Sequence, residues 1–297
     1  MYKVSIVGAS GFLGQHLVRE LRNANGVSLR STNWIDEISN SDIIINLVGK
    51  AHDHNGTATQ QDFYFANVEL TKNIFNEFLK SKAQILIHVS SIAAVEEYES
   101  LNPLEEDHPS RPFSHYGKSK REAEDWLLKQ SLPNNKKIII LRPPMVHGAG
   151  DKGNLGLLYK LISKGVPYPL ASFENRRSFL SVENLIFFIQ EIIDKNPFLN
   201  TGVYHVADDE TVSTKEIIEI IKKVKNKKIL DLSISPIFIK SVSKIGDFIP
   251  LPLNTRRLKK MTSNLEVSNQ KIKNALGIDQ LPVSASEGLE KTIKTFK

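Results

Sequence analysis

Short apolar runs alternate along this chain with segments whose apolar residues recur at helical spacing. Residues 3–7 (KVSIV) form a mostly apolar run that stops at glycine, the pattern of a buried strand. Residues 12–22 follow with Leu13, Leu17, Val18 and Leu21 on one helical face. A second strand is expected at 27–30, and 43–48 (IIINLV) reads as a strand covered on both faces. A helix at 65–79 precedes a strand at 84–89, which ends in SSIAA. A helix at 116–129 precedes a strand at 137–141, which is stopped by RPP. Residues 180–193 look largely helical, and a strand is expected at 202–207. The helix at 215–223 is announced by Ser213 and Glu216 in capping-box spacing.

Strands alternating with helices predict an α/β fold with a doubly wound parallel sheet of Rossmann type. The character changes after Arg142, where prolines, glycines and irregular stretches become frequent. The expected division is a dinucleotide-binding domain at 1–142 and a smaller, mostly helical substrate lobe at 143–297, with sheet elements returning at about 178–225. Residues 237–248 have the pattern of an amphipathic surface helix, read as packing on the lobe ahead of any membrane contact.

Composition narrows the class. The chain has 297 residues, 40% hydrophobic and 24% charged, which suits a soluble globular protein. It has no cysteine, so disulfide and thiolate chemistry are excluded. Nothing resembles a signal peptide or a membrane span, and a cytoplasmic location is expected. The net charge of +6 is not gathered in a nucleic-acid stripe; it suits an anionic small ligand. His52 and His54 are the only close histidine pair, with no third ligand nearby, so no metal is expected.

The first strand runs into VGASGFLG, where Gly8, Gly11 and Gly14 form a GxxGxxG pattern opening a helix. Glycines there let backbone approach a pyrophosphate, and the helix start supplies amides. The acid that would hold a ribose 2′-hydroxyl about 20 residues on is missing. Leu29, Arg30, Ser31 and Thr32 stand there instead, and a cation with hydroxyls suits a 2′-phosphate. NADP(H) is therefore preferred over NAD(H), with Asp36 as the acid that would reverse the preference.

The helix at 116–129 carries an oddity. Tyr116, Lys120, Ala123 and Leu127 fall within an arc of about 60° on one face, so a lysine shares the apolar stripe with a tyrosine. A free phenol has a pKa of about 10, and a nearby ammonium lowers it. Ser90 and Ser91 end the preceding strand, where ligands bind in such sheets.

Taken in order, GASGFLG, NLVG, HVSS, YGKSK and LRPPMVHG resemble the extended short-chain dehydrogenase/reductases, and within them the nucleotide-sugar epimerase, dehydratase and reductase branch. The resemblance implies that Tyr116 is the general acid/base and that Lys120 depresses its pKa and binds the nicotinamide ribose. It implies that a serine, Ser91 ahead of Ser90, aligns the sugar C4 oxygen. The cofactor is expected against Gly8, Ser10, Gly11, Phe12, Leu13, Gly14, Arg30, Ser31, Leu47, Val48, Gly49, Asn67, Val89 and Pro143, besides Tyr116 and Lys120. NRRSFLSVENL resembles the family's arginine-bearing stretch, which puts Arg177 on the nucleotide diphosphate, with Ser178 in place of the usual acid. By the same resemblance Asn154 is expected to touch the nucleotide sugar, and Arg256 or Arg257 to face the diphosphate as well.

The departures matter too. Dehydratases of the family carry an Asp-Glu pair after the catalytic hydroxyl, where this chain has Ile92, Ala93 and Ala94, which argues against a 4,6-dehydratase. Only about 12 residues separate Arg30 from Asp42, so the usual third strand and its helix are truncated. The expected activity is NAD(P)H-dependent reduction at C4 of a UDP-4-keto-6-deoxy-hexosamine in surface polysaccharide synthesis. The alternative is a UDP-sugar 4-epimerase with tightly bound NAD. A non-catalytic NADP-sensing regulator is a remote third reading. A homodimer is expected from the family alone.

Overall fold

The computed structural model describes residues 1–51, 57–151, 153–165, 173–226, 234–249 and 254–296, without the side chains of 154, 256, 257 and 260. The chain begins with β1 (Val4–Val7), α1 (Phe12–Glu20), β2 (Ala24–Val27), α2 (Trp34–Ser39) and β3 (Ile43–Asn46). Next, α3 (Gln60–Tyr64) passes through a π-helical turn (Phe65–Glu69) into α4 (Leu70–Lys80). Then come β4 (Ile85–Val89), a 3₁₀ turn (Ile92–Ala94), α5 (His115–Leu128) and β5 (Lys137–Arg142). The second half holds β6 (Met145–His147), α6 (Asn154–Ser163), β7 (Arg177–Ser181), α7 (Val182–Asp194), β8 (Gly202–His205), β9 (Thr211–Val212) and α8 (Thr214–Lys225). It closes with α9 (Pro236–Ile245), α10 (Thr255–Thr262), α11 (Gln270–Leu276) and α12 (Ala285–Lys294).

Six strands form one parallel sheet in the order β2-β1-β3-β4-β5-β8. β1, β3 and β4 are buried along their whole length, because helices cover both faces. One layer of core joins α1 and α7 to the sheet through Leu17, Phe188, Ile189 and Ile192. The other joins α2, α4 and α5 through Ile38, Phe75, Phe78 and Leu127. The Rossmann-type doubly wound sheet expected from the sequence is present. Among the described residues no strand lies beyond β2, as the short 30–42 segment implied.

Two elements differ from the sequence reading. The second strand lies at Ala24–Val27, earlier than 27–30. Its register is set by pairing Val4–Val7 with Ala24–Val27, and a turn closed by Ser31 N–H on the Ser28 carbonyl at 2.9 Å puts Leu29 and Arg30 outside the strand. The start of the stretch 180–193 is not helical: Arg177–Ser181 is a strand. Ser181 then caps α7 by accepting from Asn184 N–H at 3.2 Å, which fixes where the helix starts. β7 pairs with β6 and β9, so the second half carries a three-stranded sheet as well as helices. A separate core there gathers Leu155, Tyr159, Ile162, Ile218, Ile239 and Leu289 from α6, α8, α9 and α12.

Candidate active site

The site is assembled at the carboxyl ends of the parallel strands, the usual ligand crevice of such a sheet. After β1, Gly8 sits at φ +92°, a conformation costly for any residue with a side chain. A Cβ on Gly14 would lie 2.5 Å from the Gly8 carbonyl oxygen, so only glycine lets α1 pack this close to the turn. Gly11 caps α1 and has no side chain to occupy the helix's first amides. Ser10 is exposed and Phe12 and Leu13 are half-buried beside this opening. The turn and helix start thus form a cradle of backbone amides that fits a pyrophosphate.

Beyond the cradle the chain leaves β3 through Leu47, Val48 and Gly49. A Cβ on Gly49 would lie 2.6 Å from Asn67 Oδ1 and 3.1 Å from Lys120 Nζ. Asn67, in the π-helical turn, is buried and fully employed. Its Oδ1 accepts from Lys50 N–H at 2.8 Å, and its Nδ2 donates to the Lys50 carbonyl at 3.2 Å and to Ser119 Oγ at 2.8 Å. Asn67 therefore braces the loop after β3 against α5, and neither amide hydrogen remains for a ligand. The widened turn is a local device that helical periodicity in the sequence does not reveal.

α5 presents Tyr116 and Lys120 toward the strand ends. Ser114 starts the helix by accepting from Gly117 N–H at 3.0 Å. Glu97 Oε1 accepts from Ser114 N–H at 2.6 Å and from Phe113 N–H at 3.1 Å, anchoring the approach. A Cβ on Gly117 would lie 2.4 Å from the Ala93 carbonyl oxygen, so this glycine permits α5 to lie against the 3₁₀ turn. That contact brings the Ser91 hydroxyl close enough to Tyr116 to act on the phenol. Ser91 Oγ accepts from Ala93 N–H at 3.2 Å. Ser90 differs: its Oγ is buried with no hydrogen-bond partner among the described residues.

The electrostatics correct one expectation. Lys120 does not bring the Tyr116 pKa below its ordinary value in this arrangement. Burial pushes the phenol above its usual 10; the Ser91 hydroxyl pulls the other way, and Glu97 and Glu124 add to the rise. Lys120 Nζ points instead at the Val89 carbonyl, 3.0 Å away. Burial lowers the Lys120 pKa to about 8, opposed by the nearby Glu124 carboxylate. Beneath it, His88 is held neutral by burial and by the Lys120 charge, and its Nδ1 lies 3.1 Å from Asn46 Nδ2.

Sequence reasoning missed the pair that supports Lys120. Glu124, buried on α5, takes a forked contact from Arg142 of β5, with Arg142 Nη2 at 2.6 Å from Oε2 and Nε at 3.0 Å from Oε1. A signal existed: Glu124 lies four residues beyond Lys120, extending the inward stripe of α5 by one turn.

The remaining expected residues are dispersed. Arg30 is exposed, and its guanidinium has no partner among the described residues. Ser31 Oγ donates to Asn33 Oδ1. Asp36 is exposed in the first turn of α2. Pro143 is buried, and its carbonyl accepts from Ile92 N–H at 2.9 Å. Arg177 opens β7, and Nη1 donates to the carbonyls of Tyr98 and Ser263, both at 3.2 Å. Burial lowers its pKa to about 10, and Nη2 has no partner among the described residues. Ser178 Oγ accepts from Val267 N–H at 2.9 Å, a backbone tie rather than a charged contact. The side chains of Asn154, Arg256 and Arg257, and His52 and His54, lie outside the described residues. Among those described, no group of acids and histidines could hold a metal.

Residues 4–207 match the model of the NAD dependent epimerase/dehydratase family. The chain belongs to that family. It is therefore an enzyme of the short-chain dehydrogenase/reductase type, as the motifs implied. UDP-glucose 4-epimerase of Vibrio cholerae is 26% identical over 99% of this chain and 95% of its own length. An Escherichia coli O157:H7 protein, N-acetyl-alpha-D-glucosaminyl-diphospho-ditrans,octacis-undecaprenol 4-epimerase, is 27% identical over 76% of this chain and 73% of its own. Among solved structures, UDP-glucuronic acid 4-epimerase from Bacillus cereus, in complex with NAD, shares the fold. It aligns with a TM-score of 0.76 and 17% identity over 98% of this chain and 97% of that one.

Proposed function

We propose that this enzyme acts on a nucleotide sugar at C4, reducing a UDP-4-keto-6-deoxy-hexosamine with NADPH on a route to surface polysaccharide. Nucleotide-sugar chemistry of the 4-epimerase and reductase type is supported by the family and by what its relatives act on. The preference for reduction is carried by one observation: Arg30, an exposed cation without a partner among the described residues, stands where an acid would select NAD. With its pyrophosphate in the cradle, the cofactor would supply the hydride for C4.

The chain's own residues do the rest. Gly8, Gly11 and the first amides of α1 hold the pyrophosphate, and Arg30 meets the 2′-phosphate. Ser91 uses its hydroxyl hydrogen to orient the C4 oxygen, since its oxygen already accepts from Ala93 N–H. Tyr116 gives its proton to that oxygen as charge develops there. Its raised pKa keeps the phenol protonated until then, which suits an acid working in the reductive direction. Lys120, cationic below about pH 8, offsets the charge then left on the phenolate and holds the ribose. Arg177 offers the unpartnered side of its guanidinium to the diphosphate.

The second reading is a UDP-sugar 4-epimerase, acting on UDP-GlcNAc or UDP-glucose with NAD kept bound, favoured by the nearly full-length match to the Vibrio cholerae enzyme. One assay separates them. The purified enzyme is given UDP-4-keto-6-deoxy-GlcNAc with NADPH, and separately UDP-GlcNAc with no cofactor. Stoichiometric NADPH oxidation in the first supports the reductase. Interconversion of UDP-GlcNAc and UDP-GalNAc, with NAD found by mass in the purified protein, overturns it.

A further inference from the structure

The outward face of α9 and the turn after it have no role in the site above. Ile239 and Ser243 are buried against the second core, which fixes how the helix is rolled. On the opposite side Ile237, Phe238 and Ile245 share an arc of about 100° and are exposed. Phe248 and Ile249 extend the patch, with Ile237 at 78% and Phe248 at 92% exposure. Such side chains stand out as knobs rather than lining a groove. A contiguous exposed apolar patch of this kind marks an interaction surface.

The charges say which one. Lys240 and Lys244 flank the knobs, exposed and without ion partners among the described residues. Asp247 is the only acid in 234–249; it is exposed, but its carboxylate is engaged within the fold, accepting from Thr255 N–H at 3.0 Å and from Thr255 Oγ1 at 2.6 Å. α10, which packs beside α9, reads TRRLKKMT and has no acid in its sequence; its Lys259 is paired with Glu99 at 2.7 Å, so Lys240 and Lys244 carry the charge of this face. A second copy docking on this face by two-fold symmetry would set the same lysines against each other, which is costly. A phosphate-bearing bilayer surface complements both the knobs and the cations.

We propose that this face seats the enzyme on an anionic lipid bilayer, with Phe238, Ile245, Phe248 and Ile249 among the acyl chains and Lys240 and Lys244 at the headgroups. The attachment is peripheral, since no helix among the described residues is long and apolar enough to cross a membrane. It does not depend on which sugar the site takes.

The test is co-sedimentation of the full chain with phosphatidylcholine vesicles, alone or mixed with phosphatidylglycerol. The protein is expected to bind the mixed vesicles and to bind the neutral ones at least about tenfold more weakly. Phe238→Ser with Phe248→Ser should weaken binding by at least about tenfold while leaving turnover of a soluble nucleotide sugar unchanged. Lys240→Glu with Lys244→Glu, which disturbs no packed side chain, should abolish the preference for anionic lipid. Three results overturn the proposal. One is wild-type protein that stays in the supernatant with both vesicles. Another is serine and glutamate variants that sediment like the wild type. The third is a wild-type dimer that the serine variant dissociates while neither form binds vesicles, which would make the face a contact between copies.

Discussion

Two cations bear on the site from opposite circumstances. Lys120 is buried, its ammonium fixed between the Val89 carbonyl and the field of Glu124. Arg30 stands on an exposed turn, and its guanidinium has no hydrogen-bond or ion partner among the described residues. Burial gives the first a shifted pKa and one position, which is what a group next to a proton transfer needs. Exposure leaves the second adjustable, which is what reading a phosphate rim needs. In the proposed mechanism, proton transfer therefore falls on the packed wall of α5, and cofactor choice on the exposed turn after β2.

The wall is where the largest losses should fall. Tyr116→Phe removes the proton donor and should lower kcat on the order of 10³-fold. Cofactor binding should survive, and stability should change by less than about 1 kcal/mol, because the ring stays and only the hydroxyl beside Ser91 goes. A protein that only senses NADP would keep its full function in this variant, so unchanged output would sink the enzymatic reading. One turn further, Glu124→Gln leaves Arg142 buried without its counter-charge and should cost about 3–5 kcal/mol in denaturant unfolding. Replacing both partners, Glu124→Leu with Arg142→Met, should recover most of that loss; if it does not, the pair does more than neutralise charge.

How much of this was readable beforehand divides along the same line. The glycine loop, Tyr116 and Lys120 declare themselves because their spacing repeats a local geometry, a strand–helix turn or one helical face. The Glu124–Arg142 pair joins residues 18 apart on two elements, and no local pattern encodes that. The π-helical turn that aims Asn67 at Ser119 was hidden in what looked like one uniform helix. The end of β7, Leu180 and Ser181, reads as helix because buried apolar residues run on from strand into α7; only Ser181, acting as a cap, marks the boundary. The roll of α9 could not be read from periodicity alone, since its apolar residues occupy both the covered and the open face.

The pH profile sharpens the comparison next. A lysine with a lowered pKa carries its charge below that value and loses it above. Turnover should hold to about pH 8 and then fall by about tenfold per unit. The alkaline limb belongs to Lys120 and not to Tyr116, whose pKa lies above its usual value. Because Glu124 raises the Lys120 pKa, the limb should move to lower pH in Glu124→Gln. A limb that stays put in that variant would separate Lys120 from the carboxylate beside it.

The smallest effect belongs to the exposed cation. Arg30→Ala should leave stability within about 0.5 kcal/mol, since the side chain is exposed and its guanidinium has no partner among the described residues. It should lower kcat/KM for NADPH by about tenfold, the loss of one charge-assisted contact, and leave NADH nearly unaffected. The informative quantity is the ratio between the two cofactors rather than either value, because a general disturbance of the turn would slow both alike. An equal loss for both would mean that Arg30 reads no 2′-phosphate, and the observation favouring reduction over epimerisation would fall with it.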